Sequence, residues 1–185
     1  MACQCRNIDH LFEPPCSLVS QFNTAQLIMA CNAICRGRFF VRCHRHQDQT
    51  RPCHHFRVVY TDGACANNGT SGAVSGIGIA FVTSEGEEGH QFSIPVDDNI
   101  DPGGKRTSQR AELLAALEGL KKIGDRDAGF FAYTSKTRPE GTDAPEIVIT
   151  TDSEYVVKGM TEWFPTWKVV ANNLLVALTY FSSPI

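Results

Sequence analysis

Phe56–Gly63 reads FRVVYTDG, and Glu146–Ser153 reads EIVITTDS. Each is a run rich in β-branched residues closed by Thr and then Asp, the composition of a strand with a polar end. If the second strand lies parallel beside the first, Asp62 and Asp152 share one carboxyl edge. That edge is where α/β sheets place their ligand sites. A lone Asp at a strand end is also an ordinary turn former or helix cap, and Asp152 stands directly before a helix pattern. The repeated context raises the pair above that reading without removing it.

Outward from these two strands, Ile77–Thr83 (IGIAFVT) and His90–Val96 are further strand candidates, with Phe92, Ile94 and Val96 alternating on one face. Asp62–Gly76 carries four glycines and the pair Asn67-Asn68, which predicts a loop or wide hairpin connection. The short connections predict an antiparallel meander. Residues 108–123 predict a helix, with Leu113, Leu117 and Leu120 at helical spacing and Thr107 or Ser108 as the N-cap. Gly124–Pro145 is a polar insertion expected to be a surface loop. Ser153–Trp163 predicts a second helix carrying Tyr155, Val156, Met160 and Trp163. Three antiparallel strands, a helix, a parallel strand and a helix make a mixed α/β domain.

The helix of residues 108–123 holds a third acid, Glu112. Its own face carries Ala115, Ala116 and Gly119, all small, so this face can approach a sheet closely and point Glu112 toward the strands. The alternative is a solvated surface Glu, as Glu118 is expected to be. Three carboxylates meeting at one sheet edge repel in a low dielectric, and a hard divalent cation resolves the conflict. Oxygen-only ligands suit Mg²⁺ or Mn²⁺ better than Zn²⁺. The usual chemistry of such a cluster is two-metal hydrolysis of a phosphodiester.

The 185-residue chain has a net charge of −3, and its two parts differ. Met1–Arg57 holds seven Arg and three acids, a net of +4, whereas Val58–Ile185 has a net of −7. Seven of the eight cysteines lie at or before Cys53, and the eighth is Cys65. The expected division is therefore a Cys/His/Arg-rich extension over 1–55, a domain over 56–168 with an insertion at 124–145, and an apolar tail over 169–185. Within the extension, Gln21–Ile34 can form an amphipathic helix, on which Cys31 and Cys35 would share a face. Cys43, His44, His46, Cys53, His54 and His55 follow. A zinc site is one reading, but the spacings match no standard knuckle or ribbon; a loosely ordered, reduced extension is the other. Its positive charge can attract phosphate. No stretch reaches the roughly 20 apolar residues of a membrane helix, so no membrane partner is expected. No secretory pattern is visible, so the thiols are expected to be reduced and the location intracellular, with nucleus, cytoplasm and mitochondrion all compatible.

YTDGACANNG (Tyr60–Gly69), TSQRAELLAAL (Thr107–Leu117) and TTDSEYVVKGMTEWFPTWK (Thr150–Lys168) together resemble the three signature segments of ribonuclease H, type 1, in order and in context. The insertion and the cysteine-rich N-terminus look closest to fungal members. The resemblance spans roughly Phe56–Lys168 and implies a ribonuclease H-like mixed sheet. It further implies Mg²⁺-dependent endonucleolytic cleavage of the RNA strand of RNA–DNA hybrids. Asp62, Glu112 and Asp152 would be the catalytic metal ligands. Asp62 would bridge two metals, and Glu112 would also touch a ribose 2′-hydroxyl, the group that marks RNA. Cys65, Asn68, Ser108 and Gln109 match nucleic-acid-binding positions. Asn67-Asn68-Gly69 is also simple turn chemistry, Ser153 is a helix cap whatever the function, and Trp163 and Trp167 match either DNA-strand contacts or core packing.

The family pattern continues with a further helix, a strand, a histidine loop and a fourth Asp. Trp163–Ile185 contains no Asp, Glu or His. The resemblance therefore implies a domain missing its C-terminal elements, with activity impaired. A module that binds hybrid without cutting it efficiently is the competing expectation.

Overall fold

The computed structural model describes residues 22–31, 37–42, 52–82, 91–137, 146–163 and 177–180. In chain order the elements are α1 (Thr24–Leu27), β1 (Ile28–Cys31), β2 (Arg38–Arg42), β3 (Pro52–Ala66), β4 (Val74–Ala80), β5 (Gln91–Pro95) and α2 (Ser108–Thr137). They continue with β6 (Glu146–Thr151), α3 (Glu154–Lys158), a π-helical segment (Gly159–Trp163) and β7 (Ala177–Tyr180). Seven strands among the described residues form one mixed sheet of parallel and antiparallel pairs, within the mixed α/β class expected from the chain.

β3 organises the sheet. Arg57 pairs with Phe40 of β2 and with Ile147 of β6, and Tyr60 pairs with Ala80 of β4 and with Thr150 of β6. So β6 lies along one edge of β3, while β2 and β4 share the other edge in succession. β5 continues antiparallel beyond β4, β1 lies antiparallel beside β2, and β7 runs parallel outside β6.

Phe56, Arg57, Val58 and Val59 are all buried because both faces of β3 are covered. Val59 packs with Ile77, Ile79, Ala115, Ile149 and Val156, the core beneath α2 and α3. Its neighbours Phe56 and Val58 join Leu27, Val41 and Val148 in a second core, with Phe22, Ile28 and Phe39 against it. Alternation along a strand places these two cores on opposite faces. The parallel register aligns Val58 with Val148 and Val59 with Ile149, so each core continues across the strand pair. A slip of one residue would exchange the faces.

α2 approaches the sheet closely because its inner face is small. Ala111, Ala115, Ala116 and Ile123 are buried. A β-carbon at Gly119 would stand 2.7 Å from Thr61 Cγ2. One at Gly63 of β3 would fall on the Glu112 amide nitrogen and the Ala111 carbonyl carbon. Among the leucines at helical spacing, Leu117 is 38% exposed, while Leu113 and Leu120 pack at the core's margin.

Several expectations are corrected. The helix expected over Gln21–Ile34 is one turn, closed by a capping box between Asn23 and Gln26, and Ile28–Cys31 is a strand. Pairing of Ile28 with Val41 and Cys31 with Arg38 overrides the local helical pattern. The N-terminal piece is therefore not a loose extension where it is described. It supplies two strands and much of the second core, and the expected boundary at 55/56 falls inside β3. β3 also runs past Thr61 to Ala66, because β4 pairs with it residue by residue from Tyr60–Ala80 to Ala66–Val74. The connection between them narrows to residues 67–73.

α2 continues to Thr137 through the first part of the expected loop. Gly124 stands in open space there and costs only about 1 kcal/mol in a helix interior, and no proline intervenes before Pro139. The expectation of a sheet lacking its last strand is also corrected, since β7 extends it beyond β6. Cys35, Cys43, His44, His46 and Trp167 lie outside the described residues. No helix among the described residues is long and apolar enough to cross a membrane.

Candidate metal and nucleic-acid site

Three elements deliver the three acids. In the parallel register Tyr60 stands opposite Thr150, so Asp62, within β3, and Asp152, just past the end of β6, stand level with one another, each two residues further on. Glu112 comes from the second turn of α2. Its position follows from Gly63, whose missing side chain lets the Glu112 backbone rest on β3 and whose N–H donates to the Glu112 carboxylate. One carboxylate oxygen from each of Asp62, Glu112 and Asp152 lies within 4.8 Å of the other two. Asp62 and Asp152 are exposed and Glu112 is half-buried. Glu118, expected to be a solvated surface acid, has a side chain only 14% exposed and pairs with Lys121 at 2.6 Å.

The cluster is electrostatically frustrated. Burial, then the charges of Asp62 and Asp152, push the Glu112 pKa up to about 7, against the opposing effect of the Gly63 N–H. Glu112 Oε2 is buried without a hydrogen-bond partner among the described residues. An oxygen-only donor set, concentrated negative charge and an unsatisfied buried carboxylate oxygen fit a hard divalent cation.

The expected nucleic-acid residues fall on two neighbouring segments. Asn67 adopts φ 52° and Gly69 φ 75°, the left-handed conformations that turn β3 back toward β4. Asn68 faces α2, and its Oδ1 accepts the Ser108 N–H at 3.0 Å. Gly69 N–H donates to the Arg106 carbonyl at 3.0 Å, and Thr107 caps the helix by accepting from Arg110 N–H at 3.2 Å. So Asn68 and Ser108 touch, with Gln109 exposed beside them. Cys65 stands apart on β3, half-buried, its thiol 3.5 Å from the Ala66 carbonyl.

Ser153 caps α3, accepting from Val156 N–H at 3.3 Å. Trp163 packs edge-on against Tyr155, with ring centroids 5.4 Å apart. Cys31 is buried in β1 and is a free thiol, on a strand rather than on the helix that would have aligned it with Cys35.

Sequence reasoning missed a buried ion-pair cluster beside the site. Asp101, 6% exposed, binds Arg110 through both carboxylate oxygens at 2.6 Å and Arg106 at 3.2 Å. The Arg110 guanidinium holds the Asp101 carboxyl below its ordinary range. Only the tight Pro102-Gly103-Gly104 sequence after Asp101 hints at this arrangement; its pairing is tertiary.

The family model described as RNase H matches residues 55–177. The chain is 37% identical over 112 residues to a ribonuclease H of Pseudomonas entomophila, covering 60% of this chain and 54% of that one. It is 32% identical over 111 residues to ribonuclease H1 of Rattus norvegicus, covering 60% of this chain and 30% of the relative. The chain thus spans between about a third and about a half of these relatives' length. Among solved structures it is similar to a foamy viral protease-reverse transcriptase in complex with dsDNA. That likeness has a TM-score of 0.44 and 24% identity, covering 69% of this chain and 82% of that one.

Proposed function

The chain belongs to the ribonuclease H family, and from that premise we propose that it hydrolyses the RNA strand of RNA–DNA hybrids endonucleolytically at Asp62, Glu112 and Asp152. The observation that carries this reading is the convergence of one carboxylate oxygen each from Asp62 of β3, Glu112 of α2 and Asp152 just past β6 within 4.8 Å of one another.

Asp62, Glu112 and Asp152 are the residues that would hold Mg²⁺ or Mn²⁺. When bound, the cations supply a water of lowered pKa and a positive clamp on the phosphate's leaving oxygen. The chain's contribution is preorganisation. The β3–β6 register levels the two aspartates, and the Gly63 contact fixes Glu112 against the strand, so the acids are gathered before substrate arrives. Glu112, the most enclosed of the three, is the residue proposed to meet the 2′-hydroxyl that marks the RNA strand. Cys65, Asn68, Ser108 and Gln109 are the proposed contacts to the hybrid backbone and minor groove.

The test is cleavage of a hybrid labelled separately on each strand, in Mg²⁺, with Asp62→Asn as control. RNA fragments from the wild type alone, with the DNA strand intact, support the reading. Saturable binding without cleavage above the control would instead make the chain a hybrid-binding module.

A further inference from the structure

The Asp101 cluster has no part in the chemistry described above, yet it joins the two segments that carry Asn68, Ser108 and Gln109. Its carboxylate is nearly enclosed, with side-chain exposure of 7%. Arg110 grips it as a planar fork, Nε on Oδ2 and Nη2 on Oδ1, both at 2.6 Å. Arg106 Nη1 reaches the same carboxylate at 3.2 Å, the Asp101 carbonyl at 3.1 Å and the Gly104 carbonyl at 2.7 Å. A β-carbon at Gly104 would fall on the Asp101 carboxylate, so the loop closes over it only with glycine there. Asp98, which is 85% exposed, adds a peripheral contact to Arg106 at 3.1 Å.

The two arginines lead in different directions. Arg110 lies in the first turn of α2, directly after Ser108 and Gln109 and two residues before Glu112. Arg106 presents its carbonyl to Gly69 N–H, one residue from Asn68, whose own side chain holds Ser108 N–H. The 97–107 loop is therefore bolted to α2 by one arginine and to the β3–β4 turn by the other, with a single buried carboxylate between them. A neutral side chain at that position would keep the shape but lose the charge that orders both guanidinium groups.

We infer that Asp101 is a positioning residue for hybrid recognition: through Arg110 and Arg106 it sets the spacing between Asn68 on the β3–β4 turn and Ser108 and Gln109 on α2. This rests on the proposed function, since the spacing matters only if those residues meet the hybrid. Asp101 is not one of the three converging carboxylates, and its carboxylate is taken up by the two arginines. Its loss therefore acts on binding rather than on the chemical step.

The experiment compares the wild type with Asp101→Asn, Arg110→Lys and the peripheral Asp98→Asn. Binding of a fluorescent RNA–DNA hybrid is followed by anisotropy in Ca²⁺, steady-state cleavage in Mg²⁺, and stability by thermal melting. Asp101→Asn is expected to raise Kd and KM about tenfold with kcat at saturation nearly unchanged, whereas Asp98→Asn behaves as wild type. A purely structural role would lower the melting temperature without separating KM from kcat. If Asp101→Asn binds and cleaves as wild type does, the inference is overturned. If it does not fold, Arg110→Lys, which keeps the charge and loses the fork, decides by the same Kd criterion. If the wild type binds no hybrid, the proposed function itself fails, and the inference falls with it.

Discussion

Glu112 carries the greatest tension of any single residue described. Its carboxyl has an ordinary pKa of 4.5 and is raised to about 7 in the fold, first by burial and then by Asp62 and Asp152. Between those values the folded chain binds a proton that the unfolded chain has released. Glu112's contribution to the stability of the metal-free protein is therefore expected to be full below about pH 4.5 and to be lost as pH rises toward 7. Melting in EDTA across that range should show the fall, and Glu112→Gln should flatten it while abolishing hybrid cleavage. A wild-type profile no steeper than that of Glu112→Gln would contradict this account of the site. Gly63 is the second decisive residue. A methyl group there meets backbone rather than a flexible side-chain end. Gly63→Ala is expected to cost about 1–3 kcal/mol by overpacking, read as a lower denaturation midpoint, and to weaken cleavage by displacing Glu112.

At the scale of elements, α2 depends on a cap supplied from elsewhere in the sequence. Asn68 satisfies the Ser108 N–H across 40 residues of chain. Asn68→Ala should cost about 1 kcal/mol in chemical denaturation, and Asn68→Asp, which keeps the acceptor and adds favourable charge at a helix N-terminus, should recover it. A cost for Asn68→Ala that persists in Asn68→Asp would show that the cap is not what matters. This scale also shows where sequence reasoning works and where it stops. The paired TDG and TDS strand ends, and the Ala115–Ala116–Gly119 face behind Glu112, are local patterns with one economical arrangement in space. From them the parallel pairing and the meeting of the acids were legible. The capping role of Asn68 was not, because turn chemistry explains Asn67 and Gly69 equally well while the partner lies far along the chain. The Asp101 pairing was hidden for another reason: Arg106 and Arg110 lie only five and nine residues on, but in a loop and helix start whose closure no periodic pattern marks. α2 outran its expected end because Gly124 is only a weak breaker.

At the scale of the whole molecule, the described strands of the basic N-terminal piece and those of the acidic piece form one sheet. Seven cysteines and a run of arginines made the first piece look separate, since composition reports charge and chemistry but not strand pairing. The β1 and β2 pairings, and the burial of Leu27 and Val41 against Phe56, Val58 and Val148, are non-local and carry no periodic signature in so short a stretch. Leu27→Ala is expected to cost about 2–5 kcal/mol and to lower a single cooperative transition. A wild-type melt would mean the N-terminal piece contributes nothing to the domain. Asp62 of β3, Glu112 of α2 and Asp152 just past β6 are proposed to form one site for a hard divalent cation. Calorimetric titration of the metal-free chain with Mn²⁺ tests it most directly, on the wild type and on Asp62→Asn, Glu112→Gln and Asp152→Asn in turn. Saturable binding that each of the three substitutions weakens, with circular dichroism unchanged, is the predicted result; binding indifferent to any one of them would contradict it.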